Sequence, residues 1–399
     1  MVTTLSNYQD PRYRASVGEG YDGIVRVAIG GYYGTGTLLY DGKAILTAAH
    51  LFTSVSDTIA TVSFETQDGT HSISASNILI NPLYSASTSN NDLALIWLNE
   101  DAPKTAERYE LYRENNELSK SFEAVGYGKV GTGMSGALEN TSGIYTRLVV
   151  ENTFDATAKA LKDALGSIMA WSPNEAQLIA DFDNGTSLKD ALNLFLAVNN
   201  KGLGVMEGLI ASGDSGGPAL IDGKIAGVAS YTTSLSSLLY HPDSDNIANS
   251  TFGEIAAWQR ISSYQQWIDE SVRAMYQNAP TKAQEVQKSM LEGDVGTRYT
   301  YFLVEFTGIR SSAASLVSVD YTTRDGSAKA KEDYIATSGT LVIYPKETYA
   351  VIPVEILGDT TKESDETFYL DISNPIGGSF GEGVVTLTAM RTIVNDDLI

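Results

Sequence analysis

Short β-favouring runs separated by glycine turns fill most of this sequence. Between residues 21 and 150 they include DGIVRVAIGGYYGTGTLLYDGKAILTAAH, NDLALIWL and FEAVGYGKV. Closely spaced strands without intervening helices are typical of sandwiches and barrels. The pattern therefore predicts a mainly β fold. The 399 residues have room for two or three domains, each large enough to bury its own core.

Two stretches interrupt the strands with helical periodicity. In residues 155–170, apolar side chains recur at helical intervals, at Ala158, Leu161, Leu165 and Ile168. Residues 186–199 repeat this signal, with Thr186 or Ser187 as the predicted N-cap. The sequence thus predicts a partly helical insertion over 151–208 in a β framework.

The end of the first domain is marked by another helical signal and a polar stretch. Residues 261–278 predict a terminal helix that docks on the first domain, and 279–285 read as a linker. Beyond this point helix signals vanish, and about six or seven long strands follow in ~110 residues, as in an immunoglobulin-like sandwich. The predicted division is an N-terminal extension or propeptide (1–14), a first domain (15–278), a linker (279–285) and a second domain (286–399).

Charge and composition exclude several kinds of partner. The net charge of −22 disfavours nucleic acid and anionic membranes, because like charges repel, and it favours cations. The chain has no cysteine, so disulfides and thiolate metal sites are excluded. Residues 1–20 contain no apolar run of signal-peptide length, and no stretch reaches the ~18 apolar residues of a membrane span. We expect the chain to be a monomer.

The candidate catalytic residues are a histidine, an aspartate and a serine in distinctive surroundings. His50 ends the apolar run ILTAAH, Asp92 opens the apolar strand DLALIWL, and Ser215 lies in SGDSGGPAL. A serine becomes a nucleophile when a histidine removes its proton and a buried aspartate orients that histidine. The other two histidines, His71 and His241, have polar neighbours and are predicted to lie on the surface.

These motifs carry a family resemblance. LTAAH, NDLALI and GDSGGP, in that order on a β framework, resemble the chymotrypsin-like serine proteases of the trypsin superfamily over about residues 15–278. The resemblance implies a double antiparallel β-barrel in which His50 is general base and acid, Asp92 orients it, and Ser215 attacks the scissile carbonyl. It also implies an oxyanion hole made by the N–H groups of Gly213 and Ser215, and it requires no cofactor for catalysis.

The resemblance raises an activation question at Asp214. In the family this carboxylate pairs with an amino terminus released by cleavage, but RYRASVGEG lacks the usual Ile-Val-Gly-Gly. Three alternatives stay open. The chain is cut after Arg14 to expose Ala15, or Asp214 pairs with Arg12 or Arg14, or the protein stays immature until another event.

The substrate pocket is the next feature that the resemblance implies. Leu209, six residues before the nucleophile, would form the pocket floor, and Ser230, Tyr231 and Thr232 would form the edge that pairs with substrate. An apolar floor cannot neutralise a buried lysine or arginine. Thr232 in place of a usual glycine would narrow the pocket. The expected preference is therefore an apolar or small side chain before the scissile bond.

Residues from about 286 onward resemble a Calx-beta domain. The resemblance rests on VSVDYTTRDGSAKAKEDYIATSGTLVIYPKET, ILGDTTKESDETFYLDISNP and IVNDD. It implies calcium ligands, because calcium prefers six to eight oxygens, and the matching acids are Glu292, Asp333, Asp359, Glu363, Asp396 and Asp397. The alternative is that these are solvated turn acids of a structural spacer, and the terminal acidic run is cut short by Leu398.

This combination predicts a secreted, extracellular endopeptidase with a calcium-binding accessory domain. By analogy it suggests a bacterial exoprotein exported without an N-terminal signal, and a chain that is a fragment of a longer protein, since no C-terminal export address precedes Ile399. Two rival functions stay open. One is a latent or inactive protease domain in an adhesion or matrix protein. The other is an esterase that uses the same triad.

Overall fold

A computed structural model describes residues 2–139, 146–310, 312 and 315–397. Leu398, where the predicted terminal acidic run is cut short, therefore lies outside the described residues. Contacts divide the chain into two compact units, Met1–Leu39 with Lys43–Gln265 and Tyr40–Gly42 with Gln266–Ile399. Among the described residues, no helix has both the length and the apolar character needed to cross a membrane.

The first unit is built mainly from short strands. They are β1 (Val2–Thr4), β2 (Ile24–Ile29), β3 (Tyr32–Leu38), β4 (Ala44–Thr47), β5 (Ala60–Thr66), β6 (Gly69–Ile80), β7 (Ala94–Leu98), β8 (Ser121–Gly126), β9 (Gly131–Thr132), β10 (Gly136–Ala137), β11 (Leu148–Thr153), β12 (Ala156–Thr157), β13 (Gln177–Asp181), β14 (Gly208–Ile210), β15 (Pro218–Ile221), β16 (Lys224–Thr233) and β17 (Ile255–Arg260). The helices are α1 (Ala158–Leu165), α2 (Ala191–Leu196) and α3 (Ile261–Arg273). The division between the two units falls inside α3, between Gln265 and Gln266.

Six strands form a closed antiparallel barrel in the order β2-β3-β4-β7-β6-β5. Its interior is filled by alternating strand residues such as Val25 and Val27 on β2, packed with Ile96 and Phe64. Gly36 is required on β3, because a Cβ there would lie 2.6 Å from Ile45 Cγ2. The barrel holds the end of β4, which leads directly into His50.

The second part of the first unit is an open sheet of seven strands, ordered β11-β8-β15-β16-β17-β13-β12. Its core contains Phe122 stacked on Phe154, with ring centroids 4.0 Å apart, and both rings meet the edge of Trp258. A four-stranded sheet, ordered β10-β9-β1-β14, accompanies it. The predicted mainly β, double-barrel architecture is confirmed, with one closed barrel and one half-barrel sheet of seven strands.

The region predicted as a helical insertion is part of the sheet. Strand β13 pairs with both β12 and β17, so residues 177–181 are an integral part of the seven-stranded sheet. Helix α2 is shorter than predicted, and its N-cap is Asp190, which accepts a hydrogen bond from Asn193 N. Thr186 fails as the cap because its N–H and hydroxyl both bond to Asn184 Oδ1 in a preceding turn.

Residues 2–14 pair and pack within the first unit, and their role as an extension or propeptide stays a prediction. Strand β1 lies between its neighbours, antiparallel to β14 with Val2 opposite Ile210 and parallel to β9. Tyr13 is fully buried, and its hydroxyl donates to Val205 O at 2.5 Å. The segment contributes side chains to the core, because Val2 and Tyr13 belong to the same cluster as Trp258.

A buried ion pair ties the segment after residue 14 to the barrel. Arg147 Nη2 lies 2.9 Å from Asp22 Oδ1, and both side chains are completely buried. The guanidinium also donates to the carbonyls of Ala15 and Ile24, while Gly18 N donates to Asp22. Sequence reasoning did not identify this pair, whose members lie 125 residues apart.

The second unit is a β-sandwich, as predicted. Its strands are β18 (Ser289–Leu291), β19 (Thr297–Glu305), β20 (Val317–Asp325), β21 (Ser338–Ile343), β22 (Tyr349–Leu357), β23 (Glu366–Ile376) and β24 (Thr386–Val394). Five form the sheet β18-β24-β23-β20-β21, and β19 pairs with β22. Phe302, Tyr334 and Phe368 pack in the core between the sheets.

Candidate active site

His50 and Asp92 form a directly bonded pair. Strand β4 ends at Thr47 and the chain turns at Ala49–Leu51, which brings the imidazole out of the barrel with 31% of its side chain exposed. Asp92 is only 1% exposed, and its Oδ2 lies 2.7 Å from His50 Nδ1. A carboxylate accepts at this distance, so Nδ1 carries the proton and Nε2 is left as the base.

Two further donors hold the Asp92 carboxylate in place. His50 N donates to Oδ1 at 2.9 Å, and Ser230 Oγ donates to Oδ2 at 2.6 Å. These two bonds fix the orientation of the carboxylate beside the imidazole. Ser230 was predicted only as a pocket residue, so its bond to Asp92 is a role that sequence reasoning missed.

Ser215 lies in a tight turn packed against the barrel. Gly213 and Gly216 have φ angles of 95° and 84°, which favour glycine. A Cβ on Gly216 would lie 2.1 Å from Thr47 Oγ1, and Thr35 N donates to Ser215 O at 2.8 Å. The turn is therefore held beside the strand end that leads to His50.

The backbone of this turn leaves two amides for another acceptor. The N–H groups of Asp214, Gly216 and Gly217 donate to the carbonyls of Ala211, Ala229 and Asp214. In the described part of the chain, the N–H groups of Gly213 and Ser215 donate to no backbone carbonyl. These are the two groups predicted for the oxyanion hole, and donors fixed in advance are what such a hole requires.

Asp214 is buried behind the turn. Its carboxylate accepts from Gly128 N and Ala211 N, each at 2.8 Å, and burial raises its pKa to about 6. Arg12 instead forms an ion pair with Asp10 at 3.0 Å.

Arg14 and Ala15 enter the other predicted modes of activation. Arg14 forms a backbone bridge with Leu148, and the buried Ala15 donates its N–H to Arg147 O. The structure does not pair Asp214 with Arg12, the pairing with Arg14 stays a prediction, and cutting after Arg14 would require this buried segment to open.

A pocket of about 240 Å³ opens beside Ser215. As predicted, Ser230, Tyr231 and Thr232 line it. The other lining residues are Lys129, Ala137, Glu139, Ile210, Ala211, Ser212, Ala248, Asn249 and Ser250. Tyr231 is held by two bonds through its hydroxyl, from Trp171 Nε1 and to Gln177 Oε1.

Leu209 is a correction, because it does not line this pocket. It is fully buried in the core of the second sheet and pairs with Thr3 across β14 and β1. Successive residues of a strand point to opposite faces, so its neighbour Ile210 reaches the pocket instead. Counting back from Ser215 located the strand but chose the wrong face.

The remaining histidines are not part of this site. His241 is exposed, as predicted. His71 lies on β6 and is half-buried rather than on the surface, with its Nε2 atom buried and unpartnered among the described residues.

In the second unit, three of the predicted calcium ligands meet. Oxygens of Glu292, Asp333 and Glu363 lie within 4.8 Å of one another. Burial raises the pKa of Glu292 to about 7, and the charges of Asp359 and Glu363 add to this rise. A group of carboxylates that destabilise one another's charge suits a hard cation.

Three further acids act on this group or on the loop beside it. Asp396 Oδ1 accepts from Gly293 N at 2.8 Å and so braces the adjoining loop, while the charge of Asp397 further raises the pKa of Glu292. Glu366, which sequence reasoning missed, has a pKa of about 7 because of burial and a hydrogen bond with Asp333.

Comparisons with known proteins match two separate parts of the chain. Residues 14–163 match the trypsin family model, and residues 297–397 match the Calx-beta domain model. The trypsin match includes His50 and Asp92 and ends before Ser215.

Among curated proteins, sodium/calcium exchanger 2 of Rattus norvegicus is 40% identical over 92 residues, which is 20% of this chain and 10% of the exchanger. Adhesion G-protein coupled receptor V1 of Danio rerio is 37% identical over 89 residues, 22% of this chain and 1% of the receptor. The chain thus spans a tenth or less of these relatives' own length.

Among solved structures, neuropsin, a serine protease expressed in the limbic system of mouse brain, aligns with a TM-score of 0.47 and 17% identity. The alignment covers 65% of this chain and 98% of neuropsin.

Proposed function

Because the chain joins a trypsin-family domain to a Calx-beta domain, we propose that it is a serine endopeptidase with a calcium-binding accessory domain. The observation that carries this proposal is the His50–Asp92 pair, bonded at 2.7 Å beside the glycine turn of Ser215. Protein or peptide substrates follow from the protease domain.

In the proposed reaction, His50 Nε2 takes the proton of Ser215 Oγ as the oxygen attacks the scissile carbonyl. The imidazolium that forms is stabilised by the buried Asp92 carboxylate, and the carbonyl oxygen accepts from the amides of Gly213 and Ser215. His50 then gives its proton to the leaving amine, which leaves an acyl-enzyme on Ser215. Water activated by the same histidine releases the acid.

Labelling with a fluorophosphonate tests whether Ser215 is an activated nucleophile. The purified full chain should gain one probe mass, and Ser215→Ala should gain none. The amino terminus of the labelled species is sequenced in the same experiment, which shows whether an uncut or a shortened chain reacts. Failure of every form to react would overturn the proposal and favour the latent or inactive domain.

The products of catalysis separate a peptidase from an esterase. A peptidase hydrolyses members of a peptide library, whereas an esterase hydrolyses small acyl esters and leaves the whole library intact. We propose that cleavage follows uncharged apolar or small side chains. Supporting this, the acid Glu139 at the pocket is already paired with Lys129 at 3.0 Å.

Replacing Thr232 with glycine is expected to broaden this preference. Thr232 lines the pocket from β16, and removing its side chain would open the entrance to aromatic residues. We expect kcat/KM for a phenylalanine substrate to rise about tenfold relative to an alanine substrate, the range expected for a few methylene groups. Thr233→Gly, one residue further along the strand, is the matched control. An unchanged ratio, or a preference for arginine, would contradict this assignment of the pocket.

We also propose that calcium binds the acids Glu292, Asp333 and Glu363, with Asp359, Asp396 and Asp397 nearby. Calcium that binds the folded state alone raises its stability by mass action. In an EDTA-treated full chain, 1 mM calcium should therefore raise the melting temperature of the second unit, and Glu292→Gln/Glu363→Gln should abolish the rise. Glu382→Gln, an exposed acid in the β23–β24 loop, is the control. An equal rise in the double variant would exclude this site.

Action outside the cell is part of the same proposal. Extracellular modules bind calcium with Kd values of about 10⁻⁴–10⁻³ M. A site of this strength would be filled outside cells and largely free inside them. A Kd in the nanomolar range for the second unit would contradict this localisation.

A further inference from the structure

A second group of acids is buried inside the first unit, away from the proposed triad. Oxygens of Asp181, Asp183 and Asp190 lie within 4.8 Å of one another, and all three residues are fully buried or nearly so. Asp181 ends β13, and Asp190 caps α2. The group therefore joins strand β13 of the seven-stranded sheet to helix α2.

Two more carboxylates face this group. The charge of Glu207 is the strongest neighbouring charge at Asp183, and the charge of Asp155 acts on both Asp181 and Asp183. Glu207 is 1% exposed. Gly202 holds the intervening loop close, since a Cβ there would lie 2.8 Å from Asp183 Cβ and 2.9 Å from Glu207 Cδ.

The hydrogen bonds of these acids follow one pattern. In four of them one oxygen accepts from the protein, and the donors are Leu192 N to Asp181, Asn193 N to Asp190, Leu203 N to Glu207 and Asn200 Nδ2 to Asp155. The other oxygen of each, and Oδ1 of Asp183, is buried without a hydrogen-bond partner among the described residues. One oxygen is thus braced and the other is presented to the interior, which is how carboxylates are held around a metal ion.

A third group of acids, which contains Asp243 and Glu254, shows that this pattern is not general in the chain. Asp243 Oδ1 and Oδ2 accept from Thr251 and Ser234, and Glu254 Oε1 accepts from Asn249 N and Thr251 N. There the protein itself satisfies most of the carboxylate oxygens. The unpartnered oxygens of the Asp181 group lack such hydrogen-bond donors, and burying a carboxylate oxygen without a donor costs free energy of folding.

We infer that Asp181, Asp183, Asp190 and Glu207, with Asp155 beside them, bind one calcium ion inside the trypsin-family domain. Five unpartnered carboxylate oxygens are the donor set of a hard cation. Calcium fits better than magnesium, because calcium accepts an all-protein cage of six to eight oxygens whereas magnesium keeps several waters.

Such an ion would hold one side of the proposed pocket. Glu207 immediately precedes β14, whose Ile210 lines the pocket. An ion at Glu207 and Asp181 would tie the loop before β14 to strand β13 of the seven-stranded sheet. Binding of the ion itself does not depend on the triad being active.

Calorimetric titration with calcium tests this site in the full chain. The background is Glu292→Gln/Glu363→Gln, which disables the group in the second unit, and the protein is first stripped with EDTA. We expect this chain to bind one calcium, and adding Asp181→Asn/Asp183→Asn should lower the stoichiometry by one. Asp163→Asn, an exposed acid on α1, should leave it unchanged.

Three outcomes would overturn the inference. The background chain binds no calcium, or the stoichiometry is unchanged after Asp181→Asn/Asp183→Asn, or the background chain binds magnesium with the same affinity as calcium. Circular dichroism checks that the variants fold. If the double variant does not fold, Glu207→Gln should weaken calcium binding at least about tenfold through the loss of one charged ligand, and an unchanged affinity would refute the site.

Discussion

Replacing Ser215 with alanine is expected to lower kcat for peptide hydrolysis by roughly 10⁴–10⁶-fold. The substitution removes the oxygen that forms the acyl-enzyme, whereas the His50–Asp92 pair and the backbone of the turn stay in place. Any rate that remains above the uncatalysed rate in water would come from the Gly213 and Ser215 amides and from substrate binding alone. KM should change little, since the hydroxyl contributes to chemistry more than to substrate binding.

The measurement compares progress curves of wild type and Ser215→Ala on the best peptide from the library. Ser167→Ala, an exposed serine after α1, serves as the matched control and should keep full activity. Matching circular dichroism spectra and melting temperatures would show that the loss is chemical. Turnover by Ser215→Ala within tenfold of wild type would contradict the assignment of the nucleophile.

Replacing Arg147 with methionine is expected to destabilise the first unit by about 3–5 kcal/mol. Methionine fills much of the space but leaves the fully buried Asp22 carboxylate without its cation, and it removes the bonds to Ala15 O and Ile24 O. Folded domains are stable by about 5–15 kcal/mol. This single change would therefore remove a large part of the stability of the domain.

Urea unfolding of the full chain measures this loss, with Ser215→Ala in the background to prevent self-digestion. The double variant Arg147→Met/Asp22→Asn should recover part of the stability, because the uncompensated charge is removed with its partner. Lys159→Met breaks an exposed ion pair with Asp163 and should leave the unfolding curve unchanged. Equal stability of wild type and Arg147→Met would show that the buried pair is not a structural tie.

The local parts of the site could be predicted from the sequence, because their conformation depends on contiguous residues. The glycines around Ser215 indicate a tight turn, and the apolar run before His50 indicates a strand end. Both features appear in the structure, with positive φ angles at Gly213 and Gly216 and β4 ending at Thr47. The mainly β fold was predictable for the same reason.

Features that depend on pairing between distant segments could not be predicted in this way. Leu209 faces the core because of the register between β14 and β1, and nothing near Leu209 in the sequence determines that register. The ion pair of Arg147 with Asp22 and the convergence of Asp181 and Glu207 likewise depend on how remote strands are arranged. The acids of the second unit were predicted by resemblance alone, and Glu366 was missed.

The insertion of β1 between β9 and β14 also sets an order of events in folding. Val2 pairs with Ile210, so the ribosome must add more than two hundred residues after Val2 before β1 can pair with β14. Pairing across such a long loop is slow relative to the local hairpins of the barrel. The strand would then close the domain in a late step, after the barrel has formed. Until that step, the edges of β9 and β14 would be open to other chains, which makes this the point where chaperone binding or aggregation competes with maturation.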